Sequence, residues 1–423
     1  MIRLDKICVW MLIICFAGMI WSGSLVKPID ELACYVMLAV GLLDCVFNHR
    51  WRVYFPLILV LAIMAGYVIY STFKGFNTLP YIFMDAIIEL KPFVPFMVLL
   101  AIRPQLGLLE RKVFKAIAIV NMVTVVALYF MPVFREYTIQ LHIMFLGASC
   151  FISMLVYLFC SIDEEGKVSP ADMAVILLLL VVGLGCTRAK YYAEAVLAVF
   201  FILIYRPGMF KGVKPGYWLL AALVVVAVVA VGWHKFSYYF LTGEGNAYDP
   251  TVADSFARPV LYATSGLILV DHIPFGSGLA SFASYASSAN YSSLYYEYGI
   301  NNIHGLSESN PDFICDAFYP SLAQFGIVGI ILFVVFLVWA FKPAKRLLRL
   351  APERYRYHYV IASLVMCFLL VESIASTIPM QTWGLLAMSV LGLVAAQESC
   401  ARTVGDAPTS ISIESSHQLS EKI

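Results

Sequence analysis

Apolar runs of about twenty residues follow one another almost from end to end of this chain, and they dictate the solvent it folds in. About twenty apolar residues, wound as a helix, cross the hydrocarbon core of a bilayer. Twelve such runs are read, at residues 7–26, 31–48, 53–74, 80–102, 113–133, 142–162, 170–187, 189–206, 216–233, 319–341, 357–376 and 379–398. Only 13% of the 423 residues are charged and 61% are hydrophobic, against roughly 25% charged in a soluble domain. A soluble fold could not cover its surface with that supply. The expected fold class is therefore all-α, a polytopic membrane protein of about twelve transmembrane helices. The run at 80–102 carries Asp85, Glu89, Lys91 and Pro92, which predicts a span that is broken or lines a cavity. The segment from Met1 to Lys6 with the apolar run behind it has the look of a signal peptide. No small-residue cleavage site follows, so an uncleaved first helix is expected.

Orientation follows from the basic residues, which collect on the cytoplasmic side of short connections. With the N-terminus placed in the cytoplasm, twenty Lys and Arg fall in cytoplasmic segments and seven outside, with Lys91 inside a span. A missed helix would scramble the second half of that count. Both termini are thus expected in the cytoplasm. The chain divides into helices 1–9 (residues 1–233), a large outward loop (234–318), helices 10–12 (319–398) and a Ser/Thr/Glu-rich tail (399–423) that reads as disordered. Connections of such length are seldom kept without a use. The two halves show no internal repeat, which counts against a transporter, although a twelve-helix transporter or flippase stays open.

The outward side holds the residues that could do chemistry. Arg188 and Lys190 join two spans with almost no loop between them, at the outer boundary, against the topological trend. They either snorkel to the headgroups or hold an anionic ligand. Glu194, one turn on, is placed to pair with Lys190. Arg258 stands in an acidic loop, at the start of a segment (257–272) apolar enough for a helix lying on the membrane surface. It either pairs with a nearby carboxylate or binds an anion. Tyr291, Tyr295 and Tyr296 lie in a Ser/Ala/Tyr-rich stretch. They suit either sugar stacking or an interfacial aromatic belt. His304, Asp312 and Asp316 are the candidates for proton transfer. A net charge of +1 gives no sign of nucleic-acid binding. The ten cysteines lack metal-like spacing and most sit in apolar runs, as small hydrophobes do. No Gly-rich phosphate loop and no HExxH occur, so neither metal nor cofactor is expected.

Four stretches, in order, resemble the O-antigen polymerase and ligase superfamily. They are 184–196 (LGCTRAKYYAEAV), 258–262 (RPVLY), 271–279 (DHIPFGSGL) and 316–329 (DAFYPSLAQFGIVG). The resemblance covers residues 170–341. It implies a GT-C-like glycosyltransferase of the bacterial inner membrane, inverting and metal-independent, working at the periplasmic face with helices in its large loop. Its donor and acceptor would be undecaprenyl diphosphate-linked glycans. Arg188, Lys190 and Arg258 would hold the diphosphate, and His304, Asp312 or Asp316 would orient or deprotonate the acceptor hydroxyl. Ligases of the superfamily carry a His just before the re-entering helix, and here that slot reads Cys315-Asp316. A polymerase of O-antigen, capsule or exopolysaccharide is therefore favoured over a ligase acting on lipid A–core. The resemblance further implies a monomer, with a chain-length regulator as a partner.

Overall fold

The computed structural model describes residues 3–22, 26, 28–209, 216, 222–223, 226, 229–230, 233, 237 and 257–405. Most of the expected span at 216–233, the first part of the large loop and the tail after 405 lie outside the described residues.

The described residues fold into helices and turns, with no strand beyond one isolated bridge between Ser307 and Asn310. Six of the helices are long and apolar enough to cross a membrane: Leu4–Trp21, Trp51–Lys74, Leu108–Phe130, Ile143–Ser161, Phe318–Leu350 and Thr382–Ala401. Their outward faces are apolar as well, with Phe55, Ile69 and Phe73 of the second and Val120, Val123 and Phe130 of the third all exposed. In water such faces would drive aggregation; in lipid they meet their own kind. The protein is a helical membrane protein.

Among the described residues, the α-helices before the large loop are α1 (Leu4–Gly18), α2 (Ile29–Phe47), α3 (Trp51–Lys74), α4 (Leu79–Glu89), α5 (Val94–Ile102), α6 (Leu108–Phe130), α7 (Ile143–Ser161), α8 (Pro170–Gly183) and α9 (Ala189–Val199). At the centre stands α7, buried on every side from Leu146 to Ser161. Around it pack α6, α8 and two later helices, α15 (Arg356–Glu372) and α16 (Thr382–Gly405). Gly147 lets α7 approach closely: a Cβ there would meet Cys186 Sγ at 2.8 Å and the Tyr191 ring at 2.9 Å. All ten cysteines are free and most are buried in this core.

The expected span at 80–102 is broken, as its sequence predicted. Helix α4 ends at Glu89 and α5 begins at Val94. Pro92 brings no N–H and its ring crowds the preceding turn, so a continuous helix is disfavoured there. Lys91 lies in the break, buried, with Nζ 2.7 Å from Asp30 and 2.5 Å from Glu31 in the first turn of α2. A lone buried ammonium would be costly, and the two carboxylates neutralise it.

The later part of the large loop carries its own helices: α10 (Ala257–Asp271), α11 (Tyr285–Ala289), α12 (Leu294–Glu297) and α13 (Phe318–Ser321), which leads into α14 (Gly326–Leu350). Helix α10 forms where the apolar segment predicted one, but its buried face meets protein. Val260, Leu261 and Ile268 share one helix face, and they close on Phe282, Tyr295, Ile303 and Ile314 in a small core belonging to the loop. Leu267 and Val270 stay exposed.

Candidate functional site

A left-handed residue aims the first cation. Thr187, at φ 52°, ends the turn after α8, and Arg188 then takes an extended conformation as the cap of α9. A β-branched residue at positive φ is strained, and such strain persists only where its surroundings hold it. Arg188 Nη2 lies 3.1 Å from His142 Nε2, at the start of α7. Two residues along, Lys190 forms an ion pair with Glu372 at the end of α15. The expected pairing of Lys190 with Glu194 does not form. Helix α9 packs against α15, which offers Lys190 a carboxylate across the interface. Glu194 is left fully buried, with both oxygens lacking a hydrogen-bond partner among the described residues.

Arg258, at the start of α10, forms an ion pair with Asp316 just before α13. Both elements are also pinned to the end of α15, by two tyrosine hydroxyls and one main-chain bond. Tyr262 donates to the Ile374 carbonyl at 2.9 Å, Tyr319 to the Leu370 carbonyl at 2.7 Å, and the Phe318 N–H to the Ser373 carbonyl at 3.1 Å. Residues 370–374 thus bond Lys190 directly, through Glu372, and neighbour Arg258 indirectly, through Tyr262 one turn along α10 and through Phe318 and Tyr319 beside Asp316. Burial pushes the Asp316 carboxyl above its ordinary range, opposed by the charges of Arg258 and Lys190. Asp316 therefore lies in the field of both groups.

The other two proton-transfer candidates sit elsewhere in the loop. His304 is exposed, with Nδ1 3.5 Å from Asn310 Nδ2 and its ring against Phe313. Asp312 is exposed on the same turn, its N–H directed to Asn310 Oδ1. The three tyrosines divide by burial. The Tyr295 ring is fully buried in the loop core, and its hydroxyl accepts from the Ala283 N–H at 2.8 Å and meets Ser287 Oγ at 2.9 Å. Tyr291 stacks on it at 5.0 Å and donates to the Leu306 carbonyl. Tyr296 alone of the three is more than half exposed, at 51%, with its hydroxyl 2.5 Å from Glu308.

The Gly-rich stretch at 276–279 anchors the loop. A Cβ on Gly276, at φ +78°, would sit 2.3 Å from both the Ala323 carbonyl and the Gly326 nitrogen, so two backbones touch here. Tyr70 donates to the Gly276 carbonyl at 2.8 Å, Ser71 Oγ accepts from the Leu279 N–H at 2.7 Å, and buried Asp85 accepts from the Ala280 N–H at 2.6 Å. Asp85 thus satisfies a backbone donor that would otherwise be orphaned in the protein interior. An apolar cavity of about 330 Å³ runs between α3, α5 and α14. Its lining includes Tyr67, Phe325 and Phe318, the last only two residues from Asp316.

Two site residues escaped the reading of the sequence. His142 lies against Arg188, and Arg135 acts on His142 through its charge, though neither shares the sequence neighbourhood of Arg188. Arg135 carried the same signal as Arg188, a cation on the outer side of the charge count, and that signal alone could have found it. Among the described residues no group of three or more His, Cys, Asp or Glu is placed to hold a metal ion. No protein-family model matches the chain, and no curated protein matches it either.

Proposed function

We propose that this protein is an inverting glycosyltransferase that polymerises sugar repeat units carried on undecaprenyl diphosphate, at the periplasmic face of the bacterial inner membrane. One observation carries the reading: Lys190, two residues from Arg188, bonds Glu372 at the end of α15, and Arg258, seventy residues beyond Arg188, bonds Asp316, whose neighbours Phe318 and Tyr319 bond the same short stretch. Cations gathered at the membrane boundary suit a lipid-borne diphosphate better than any solute. The topology that goes with it has twelve spans and both termini in the cytoplasm, so the loop faces outward. The apolar cavity beside Phe318 suits part of a polyprenyl chain.

In this reading Arg188 and Arg258 hold the donor diphosphate, and Lys190, already paired with Glu372, adds to their field. A hydroxyl of the acceptor repeat unit attacks the anomeric carbon of the donor. The anomeric C–O bond breaks, its electron pair leaves with the diphosphate, and the hydroxyl proton passes to the Asp316 carboxylate. Charge grows on the departing oxygen just where the guanidinium groups are fixed, which lowers the barrier. Asp316 is preferred to His304 and Asp312 because it lies within the field of the cations. Tyr296 offers a ring to the glycan at the loop surface.

The experiment is extension of a defined lipid-linked repeat unit by the purified protein. A ladder of longer lipid-linked products is expected. Movement of substrate across sealed vesicles without any new glycosidic bond would sink the proposal in favour of a transporter. Transfer of preformed polymer to lipid A–core, with no extension, would replace the polymerase with a ligase.

A further inference from the structure

Among the buried guanidinium N–H groups with no acceptor among the described residues are Nε of Arg188 and Nε of Arg135. An orphaned buried donor on a charged group is costly. Each arginine has a reason to stay in place. Arg135 is buried, in a π-helical turn (Phe134–Ile139), with Nη2 bonded to Glu136 at 2.5 Å. Arg188 is fixed by the Thr187 turn.

His142 is the third member. Its Nε2 lies 3.1 Å from Arg188 Nη2, and its Nδ1 lies 3.3 Å from the Met144 N–H. Both neighbours are donors, since neither a guanidinium nor a peptide N–H can accept. A neutral imidazole can accept at one nitrogen only, and an imidazolium at neither. This arrangement of donors is therefore set against a charged His142. The charged groups around the ring say the same. Arg188 and Lys190 face it from the start of α9, and Arg135 and Glu136 from the turn before it, while Glu372 of α15 is already bonded to Lys190. Burial, then Arg188, holds His142 below its ordinary range.

We infer that Arg135, His142 and Arg188 form a cradle for a phosphate-type dianion, and that His142 takes up a proton as the dianion enters. The anion supplies acceptors to both orphaned Nε–H groups and draws Arg188 Nη2 away from the ring. Its two charges reverse the local field, and a phosphate oxygen then faces Nε2, which can carry a proton and donate it. The inference rests on the polymerase reading only in naming a lipid-borne diphosphate as the occupant; the cradle itself stands on the geometry.

The test uses the full chain in nanodiscs of zwitterionic lipid, with ¹³C in the histidine rings. The seven histidines are separated by the resonance lost in His142→Gln, or in His142→Asn should that variant not fold. The His142 titration midpoint is recorded alone, with inorganic pyrophosphate and with farnesyl diphosphate. An upward shift of at least about one pH unit is expected, a tenfold change in proton affinity, and Arg188→Ala should abolish it. A shift at lower concentration with farnesyl diphosphate assigns the cradle to a membrane-borne ligand, and one at equal concentration to the diphosphate alone. An unshifted midpoint with both probes overturns the inference. So does an equal shift produced by phosphatidylglycerol in the disc, which would be a general surface effect. Extension activity separates the two proposals. Its absence beside an intact shift removes the polymerase and keeps the cradle, and normal extension with no shift does the reverse.

Discussion

Arg258 and Asp316, 58 residues apart, are joined by an ion pair that ties the first helix after the undescribed part of the loop to the segment entering α13. If Arg258 also holds the donor diphosphate, Arg258→Ala should lower polymer formation by about a hundredfold or more with membrane expression intact. Arg188→Ala should do the same. Arg258→Lys should also be damaging, because an ammonium lacks the planar fork. The chain-length ladder reads the outcome, and wild-type ladders in both alanine variants would remove the diphosphate role.

The partner carboxylate gives a pH prediction with a definite sign. Burial raises the Asp316 carboxyl despite Arg258 and Lys190, so its ionisation opposes the folded state. That contribution favours folding at low pH and is lost as pH rises through the raised folded value. Asp316→Asn cannot ionise, so it should be at least as stable as wild type at pH 7, with the difference narrowing as pH falls toward 4. Polymer extension should nevertheless collapse. Thermal unfolding in detergent and the extension assay check the two halves, and full activity in the variant would dismiss Asp316 as the base.

Glu372 is almost wholly buried, at 2% side-chain exposure, against Lys190 at 15%. Removing one member leaves the other charged and unpaired, so Glu372→Ala should cost about 3–5 kcal/mol. The double variant Lys190→Met, Glu372→Leu should recover most of that stability. A double variant as unstable as the single would mean that the pair, rather than the stranded charge, carries the energy.

Gly276→Ala should unseat the loop, because the new Cβ meets backbone at 2.3 Å on two sides in a left-handed conformation. Gly266→Ala, in α10 with nothing within 4 Å, is the control and should gain up to about 1 kcal/mol from helix propensity. Limited proteolysis of the loop distinguishes them: rapid cleavage only in Gly276→Ala is expected.

Much of the bundle could be read from the chain, because a bilayer asks for long apolar helices and tolerates few exceptions. Trp51–Lys74 and Ile143–Ser161 follow the runs at 53–74 and 142–162 within a few residues, and Pro92 marked its own break. What the chain did not disclose is register between elements. Nothing local says that Lys190 turns to Glu372 and away from Glu194, since that choice belongs to the α9–α15 interface. Tyr295 and Tyr296 are neighbours with identical side chains, yet one is core and the other surface, because the helix phase of α12 is set by packing on Phe282. His142 reaches Arg188 only through the fold.

The loop segment from 276 to 281 is bonded to Tyr70, Ser71 and Asp85 before any ligand arrives. Its backbone entropy is therefore surrendered during folding and not during association. Calorimetry of donor binding should then give a heat-capacity change matching the ligand's own buried apolar surface. The far larger change of coupled folding and binding, set by burial of roughly 1,000–3,000 Å², should be absent from this part of the molecule, and binding should stay nearly as strong in the cold as in the warm.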